Sequence, residues 1–172
     1  MIARVRDFSD YFEGVRRRTV GFFRVIPGAR IDWAPAPGEY TCGDIIRHVA
    51  ASEGMFVGAA VDGRWRYAGH ERRLGATLEA ALARLDACHA QAAAALARAT
   101  DADLGAVRPA LEDGGRPIKA WRLLMAMVEH EVHHRSQLAS YLTMMGVEAP
   151  DIFGLGVEDV ERLTAGAAGR NA

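Results

Sequence analysis

Cysteine is scarce in this chain. Cys42 and Cys88 are the only two in 172 residues, and they form no CxxC pair. That excludes a disulfide scaffold or a cysteine-built zinc knuckle, and fits a reducing cytoplasm. Neither sign of charge is in excess: 21 basic and 22 acidic side chains leave a formal net charge of −1. With no basic or acidic tail, a general nucleic-acid binder is not expected. Apolar runs never reach the roughly 20 residues that span a bilayer. Met1 leads into the charged, amphipathic IARVRDF rather than a secretory leader. Runs that alternate apolar and polar residues are also missing, so strands are not expected to dominate. What remains is one cytoplasmic domain over residues 1–164, followed by a frayed tail at 165–172.

Helical periodicity fills that domain. Phe8, Phe12, Val15, Thr19, Phe22 and Ile26 step by four and three, which predicts a helix from Ile2 to Ile26 ended by Pro27-Gly28. Arg16, Arg17 and Arg18 spread over about 200° of that helix and read as solvated surface. Thr41, with Asp44 three residues on, is a capping box for a second helix reaching Val61. Its inward stripe is Ile45, His48, Ser52, Met55 and Ala59. The basic, aromatic loop GRWRYAGHERRLG follows, with His70 expected in solvent. A third helix runs from near Gly75–Thr77 to Ala99, lined by Leu78, Leu82, Leu85, His89, Ala92 and Leu96. The turn signal Asp113-Gly114-Gly115 allows a short hairpin, and Pro117 suits the first turn of a helix over 118–145 ended by Gly146. A short helix over 157–164 completes an all-α four-helix bundle.

Three of the six histidines crowd into HEVHHRSQ, residues 130–137. The seam of the fourth helix reads Ala120, Leu123, Met127, His130, His134, Gln137, Tyr141 and Met144. His130 and His134 therefore share one inward face, a turn apart. Two buried neutral imidazoles each bring a donor and an acceptor that must be satisfied. One solution is a pair of core histidines bonded to neighbours. The other is a divalent metal, which takes a lone pair from each ring. His48 supplies a third nitrogen from the second helix, and three protein ligands with an open position are typical of a catalytic metal. His89 stands open as a fourth ligand, an acid–base group or a packed residue. His133 points to an edge. HEVHH also fits the HExxH peptidase pattern, with Glu131 as base. However, no histidine follows His134 and no strand is expected that could hold a peptide.

Histidine early in the second helix (DIIRH), the approach WAPAPGEYTCGDIIRHVAASE, HEVHHRSQL and the tail DIFGLGVEDV together resemble the DinB/YfiT-like family, over about residues 1–162. The resemblance implies a four-helix bundle with a short C-terminal helix, and metal ligation by His48, His130 and His134. It implies zinc or nickel, a homodimer, and for some members the transfer or use of low-molecular-weight thiols such as bacillithiol or mycothiol. Where the family often has HRGQ, this chain has HRSQ, which leaves the ligands untouched.

A metal that holds an external thiolate would let it attack a small electrophile. Arg64, Arg66, Arg72 and Arg73 could then receive the carboxylates of such a thiol, between Trp65 and Tyr67. Tyr141 could hydrogen-bond bound water or substrate. The expected function is thus a metal-dependent thiol transferase acting on a small molecule. The alternatives are a hydrolase in which the metal activates water, with Glu131 assisting, and a non-catalytic bundle that the metal merely stabilises.

Overall fold

The computed structural model describes residues 2–112 and 115–168. Helices α1 (Val5–Arg24), α2 (Cys42–Asp62), α3 (Leu78–Leu96) and α4 (Ala120–Met144) form the bundle, and α5 (Val157–Ala168) follows. Between α3 and α4, β1 (Val107–Arg108) pairs antiparallel with β2 (Ile118–Lys119), the short hairpin that the Asp113-Gly114-Gly115 turn allows. Residues 113 and 114 of that turn signal lie outside the described residues. Pro117 precedes β2 and so lies outside α4, which starts at Ala120 rather than 118.

Helix directions follow from which residues share a core. Phe8, Phe12 and Val15 of α1 pack with Val57 and Ala60 of α2, while Phe22, Phe23 and Ile26 pack with Ile45 and Ile46. The two helices are therefore antiparallel. Leu78, Ala81 and Leu85 of α3 join the second group and Ala92 and Leu96 the first, so α3 runs parallel to α2. Helix α4 returns, with Leu123 and Met127 in the first group and Leu138 and Leu142 in the second. The order is up, down, down, up, and the segment 63–77 must cross back along the length of α2.

Caps agree with the sequence. The Thr41 hydroxyl accepts from the Asp44 N–H, and the Asp44 carboxylate accepts from the Thr41 N–H. Gly63 (φ 69°) ends α2. Gly146 (φ 71°) ends α4, where the Val147 N–H reaches the Leu142 carbonyl at 2.9 Å, a Schellman closure. Helix α5 continues to Ala168, past the expected 164, and residues 169–172 of the expected tail lie outside the described residues.

The apolar core is in two halves. Between them lies a polar waist of Arg16, Thr19, Ser52, Glu53, Glu131, His134 and Arg135, all buried. Arg16 is 5% exposed, which corrects its reading as solvated surface: α2 and α3 present Glu53 and Asp86 to it. Met144, placed on the inward seam by periodicity, is 64% exposed. Helix α4 buries a second stripe instead, through Leu124, Val128, Glu131, Arg135, Leu138 and Leu142, because α1 covers that side.

Candidate metal centre

His48 on α2 and His130 and His134 on α4 meet in the waist. Their ligand atoms all lie within 4.8 Å of one another. The His130 Nε2 is 2.9 Å from the His48 Nε2 and 3.2 Å from the His134 Nε2. Tetrahedral zinc with nitrogens at about 2.05 Å would set neighbouring nitrogens about 3.3 Å apart; the two edges at His130 approach that spacing, and the third, within 4.8 Å, closes toward it when one ion takes all three.

Hydrogen bonds on the far ring nitrogens strengthen the fit. The Gln137 Oε1 accepts from the His134 Nδ1–H at 2.9 Å, and the Gln137 amide donates to the Tyr141 hydroxyl at 3.1 Å. That leaves the His134 Nε2 as a bare lone pair. The Tyr67 hydroxyl lies 2.7 Å from the His48 Nδ1 and 2.6 Å from the His70 Nδ1. It has one proton, so it accepts from one ring and donates to the other. With the His48 Nδ1–H as donor, the His48 Nε2 is also bare. His130 then carries at most one proton for two facing acceptors, and one N···N contact is left as lone pair against lone pair. A cation between the rings removes that conflict. Burial pushes the His48 imidazolium down to about 4 and His130 down to about 3, reinforced by His134 and His70 at the first and by His134, His48 and His133 at the second. His134 is lowered by the same desolvation. The three rings are therefore neutral at physiological pH, the form that ligates.

The crossover roofs the site. Tyr67 and His70 close over His48, with Tyr40 edge-on to it at 5.4 Å between centroids and Phe56 5.8 Å from the His130 ring. The Arg47 guanidinium, buried beside His48, donates to the His70 and Gly75 carbonyls and to Asp44. Arg84 reaches the Gly69 carbonyl from α3. His70 was expected in solvent and is half-buried here. Sequence reasoning missed this roof, and the only signal for it was the density of rings in GRWRYAGH.

The remaining candidates divide. Tyr141 reaches the cluster through Gln137. Glu131 is turned away from it. The helical step of about 100° per residue carries it onto the α1 side of α4, where it is 2% exposed among Arg16, Thr19, Glu53 and Arg135. This corrects its expected place as a base beside the metal. Burial pushes its carboxyl up to about 7, and Glu53 adds to the rise against the pull of Thr19 and the two arginines. His89 bridges Glu53 at 2.7 Å and Glu13 at 2.8 Å, in the same ionic group and away from the three rings. His133 is exposed. Arg72 holds Asp32 through two of its nitrogens on the outer surface. Arg64 lines a cleft between α2 and α3.

Fold and site together define a helical-bundle protein with a three-histidine centre capable of holding a divalent metal. The profile of the DinB superfamily matches residues 11–138. The chain belongs to the DinB superfamily. It is similar in fold to the crystal structure of a DinB-like protein from Bacillus cereus ATCC 10987, with TM-score 0.73 and 18% identity over 88% of this chain and 99% of that one. The DinB-like protein YjoA of Bacillus subtilis gives TM-score 0.68 and 20% identity over 85% and 96% of the two chains. A mutant form of the mycothiol-dependent maleylpyruvate isomerase gives 0.55 and 16% over 80% of this chain, which spans 63% of that longer one. No curated protein sequence matches.

Proposed function

We propose that this protein is a metal-dependent enzyme that binds zinc or nickel through His48, His130 and His134 and transfers a low-molecular-weight thiol to a small electrophile. The observation that carries the metal is the convergence of three Nε2 atoms, two of them backed by partners on Nδ1. The thiol is supported by superfamily membership and by the mycothiol dependence of the isomerase that shares the fold. A divalent metal there would act as a Lewis acid and favour the thiolate form of a bound thiol.

The residues of the chain do the rest. Gln137, oriented by Tyr141, fixes the tautomer of His134. Tyr67, accepting from the His48 Nδ1–H, would leave the His48 Nε2 free to ligate, and Tyr40 and Phe56 flank the rings. Arg64 remains the cation offered to a thiol carboxylate, whereas Arg72 already holds Asp32. Glu131 faces α1, so the competing hydrolase reading loses its expected base. A homodimer is part of the proposal. Phe153, Val157, Val160 and Leu163 put apolar surface in solvent on α5 and the turn before it, and a second copy would cover it.

The test is metal content by elemental mass spectrometry on tag-free protein, wild type beside His130→Ala and His134→Ala, followed by thiol–electrophile turnover. About one metal per chain, lost in both variants, with turnover that requires added thiol, supports the reading. Wild type that stays metal-free after reloading, with folded variants, sinks the metal. Thiol-independent hydrolysis sinks the transferase. Light scattering reads the dimer.

A further inference from the structure

A cleft of about 890 Å³ opens between α2 and α3 beneath the crossover. It lies outside the three-histidine cluster, yet it shares a wall with it. Tyr67 and His70 line the cleft and also bond, directly or through one another, to the His48 Nδ1. Its volume lies within the range of small-molecule sites, roughly 300–1,000 Å³. Ala50, Ala51 and Gly54 of α2 and Ala92 and Ala95 of α3 make the floor. A Cβ on Gly54 would meet nothing within 4 Å, so the space there is open.

The charges around this floor are unevenly shared. Arg64 and Arg66 come from the crossover and Asp62 from the end of α2, and none of the three makes an ion pair among the described residues. Glu71 also lines the cleft but faces Arg73 at 3.8 Å. Two free guanidiniums and one free carboxylate around an apolar floor complement a molecule with two carboxylates, one ammonium and a short aliphatic body.

We infer that the α2–α3 cleft binds a zwitterionic, peptide-like small molecule, its carboxylates toward Arg64 and Arg66 and its ammonium toward Asp62. This deepens the thiol reading, on which it rests for the identity of the natural ligand. The existence of the cleft site does not depend on that reading. Tyr67 and His70 then stand between the ligand and the metal-binding histidines, and they belong to both.

The probe is S-methylglutathione, which carries one ammonium and two carboxylates and cannot offer a thiolate to a metal. Backbone amide shifts are followed by NMR on the full chain at millimolar probe. The expected result is saturable perturbation centred on Gly54, Gly58, Gln91 and Ala95. It should weaken about tenfold or more in the double variant Arg64→Glu, Arg66→Glu, and vanish in Gly54→Phe, whose ring fills the floor. His130→Ala, which removes a metal ligand but not the cleft wall, should leave it intact. The double variant alters only exposed residues and keeps the test sound if Gly54→Phe fails to fold. No saturable perturbation, perturbation centred on the three histidines, equal binding of the dimethyl ester, or indifference to the charge reversal would each overturn the inference. Cleft binding without thiol turnover would sink the transferase alone.

Discussion

Gln137 offers the sharpest test of the metal centre because its bonds fix a direction. Its Oε1 faces His134 at 2.9 Å while its amide nitrogen donates to the Tyr141 hydroxyl at 3.1 Å. The His134 Nδ1 is then a donor and its Nε2 a free ligand. Gln137→Ala removes the acceptor and leaves the tautomer undetermined. Loss of such a partner costs about 10- to 100-fold in metal affinity, or about 1.4–2.8 kcal/mol. Gln137→Glu keeps an acceptor at the same reach, and the Tyr141 hydroxyl can reverse its role and donate, so affinity should return to within a few-fold of wild type. Tyr141→Phe frees the amide to flip and should lose less than Gln137→Ala. Competition titration with a chelating dye measures all four proteins for zinc and nickel. Equal affinities in wild type, Ala and Glu variants would refute the argument, because ring orientation would then owe nothing to Gln137.

Other consequences are testable with equal directness. Phe12→Ala empties a fully buried site stacked on Phe8 and should cost about 3–5 kcal/mol in denaturant unfolding. Thr41→Ala removes one arm of the capping box ahead of the His48 helix and should cost about 1 kcal/mol by the same assay. The His89 pKa is raised, first by its bond to Glu53, then by the Glu53 and Glu13 charges against desolvation. A raised base binds its proton more tightly when folded, so its stabilisation is complete below the unfolded value of 6.5 and fades as pH rises through the folded one. The stability of wild type relative to His89→Gln should therefore be greatest below pH 6.5 and shrink above it, read as paired melts across pH. Chelation of the zinc-loaded protein should lower the melting temperature, and added zinc should restore it.

The bundle was legible because its signals are local and periodic. The stripe from Phe8 to Ile26 is buried throughout, and Thr41 with Asp44 closes the cap it announces. His48 was legible for the same reason: an imidazole on an inward stripe, opposite a pair one turn apart. What failed needed knowledge of neighbours. Met144 follows the seam but projects past the end of the core. Arg16 belongs to an arginine run that periodicity spreads around the helix, and only the arrival of Glu53 and Asp86 from other helices buries it. Glu131 fits HExxH, yet that spacing says nothing about which helix packs on its side. Tyr67 and His70 sit in a segment with no period, and their place over His48 is set by the route of the crossover.

That route also sets a minimum length. Helix α2 has 21 residues, a rise of roughly 30 Å at about 1.5 Å each. The segment 63–77 has 15 residues between α2 and α3, and a fully extended chain gives at most roughly 3.3–3.6 Å per residue, about 50 Å in all. Part of that reach goes to the tight turn at Arg72–Leu74 and to passing over the rings. The extended reach exceeds the span by roughly 20 Å, enough to fold that turn and still lay Tyr67 and His70 over His48. A protein built this way can diversify what it recognises by substitution in the strap on either side of Tyr67 and His70, with length to spare, and leave both halves of the core as they are.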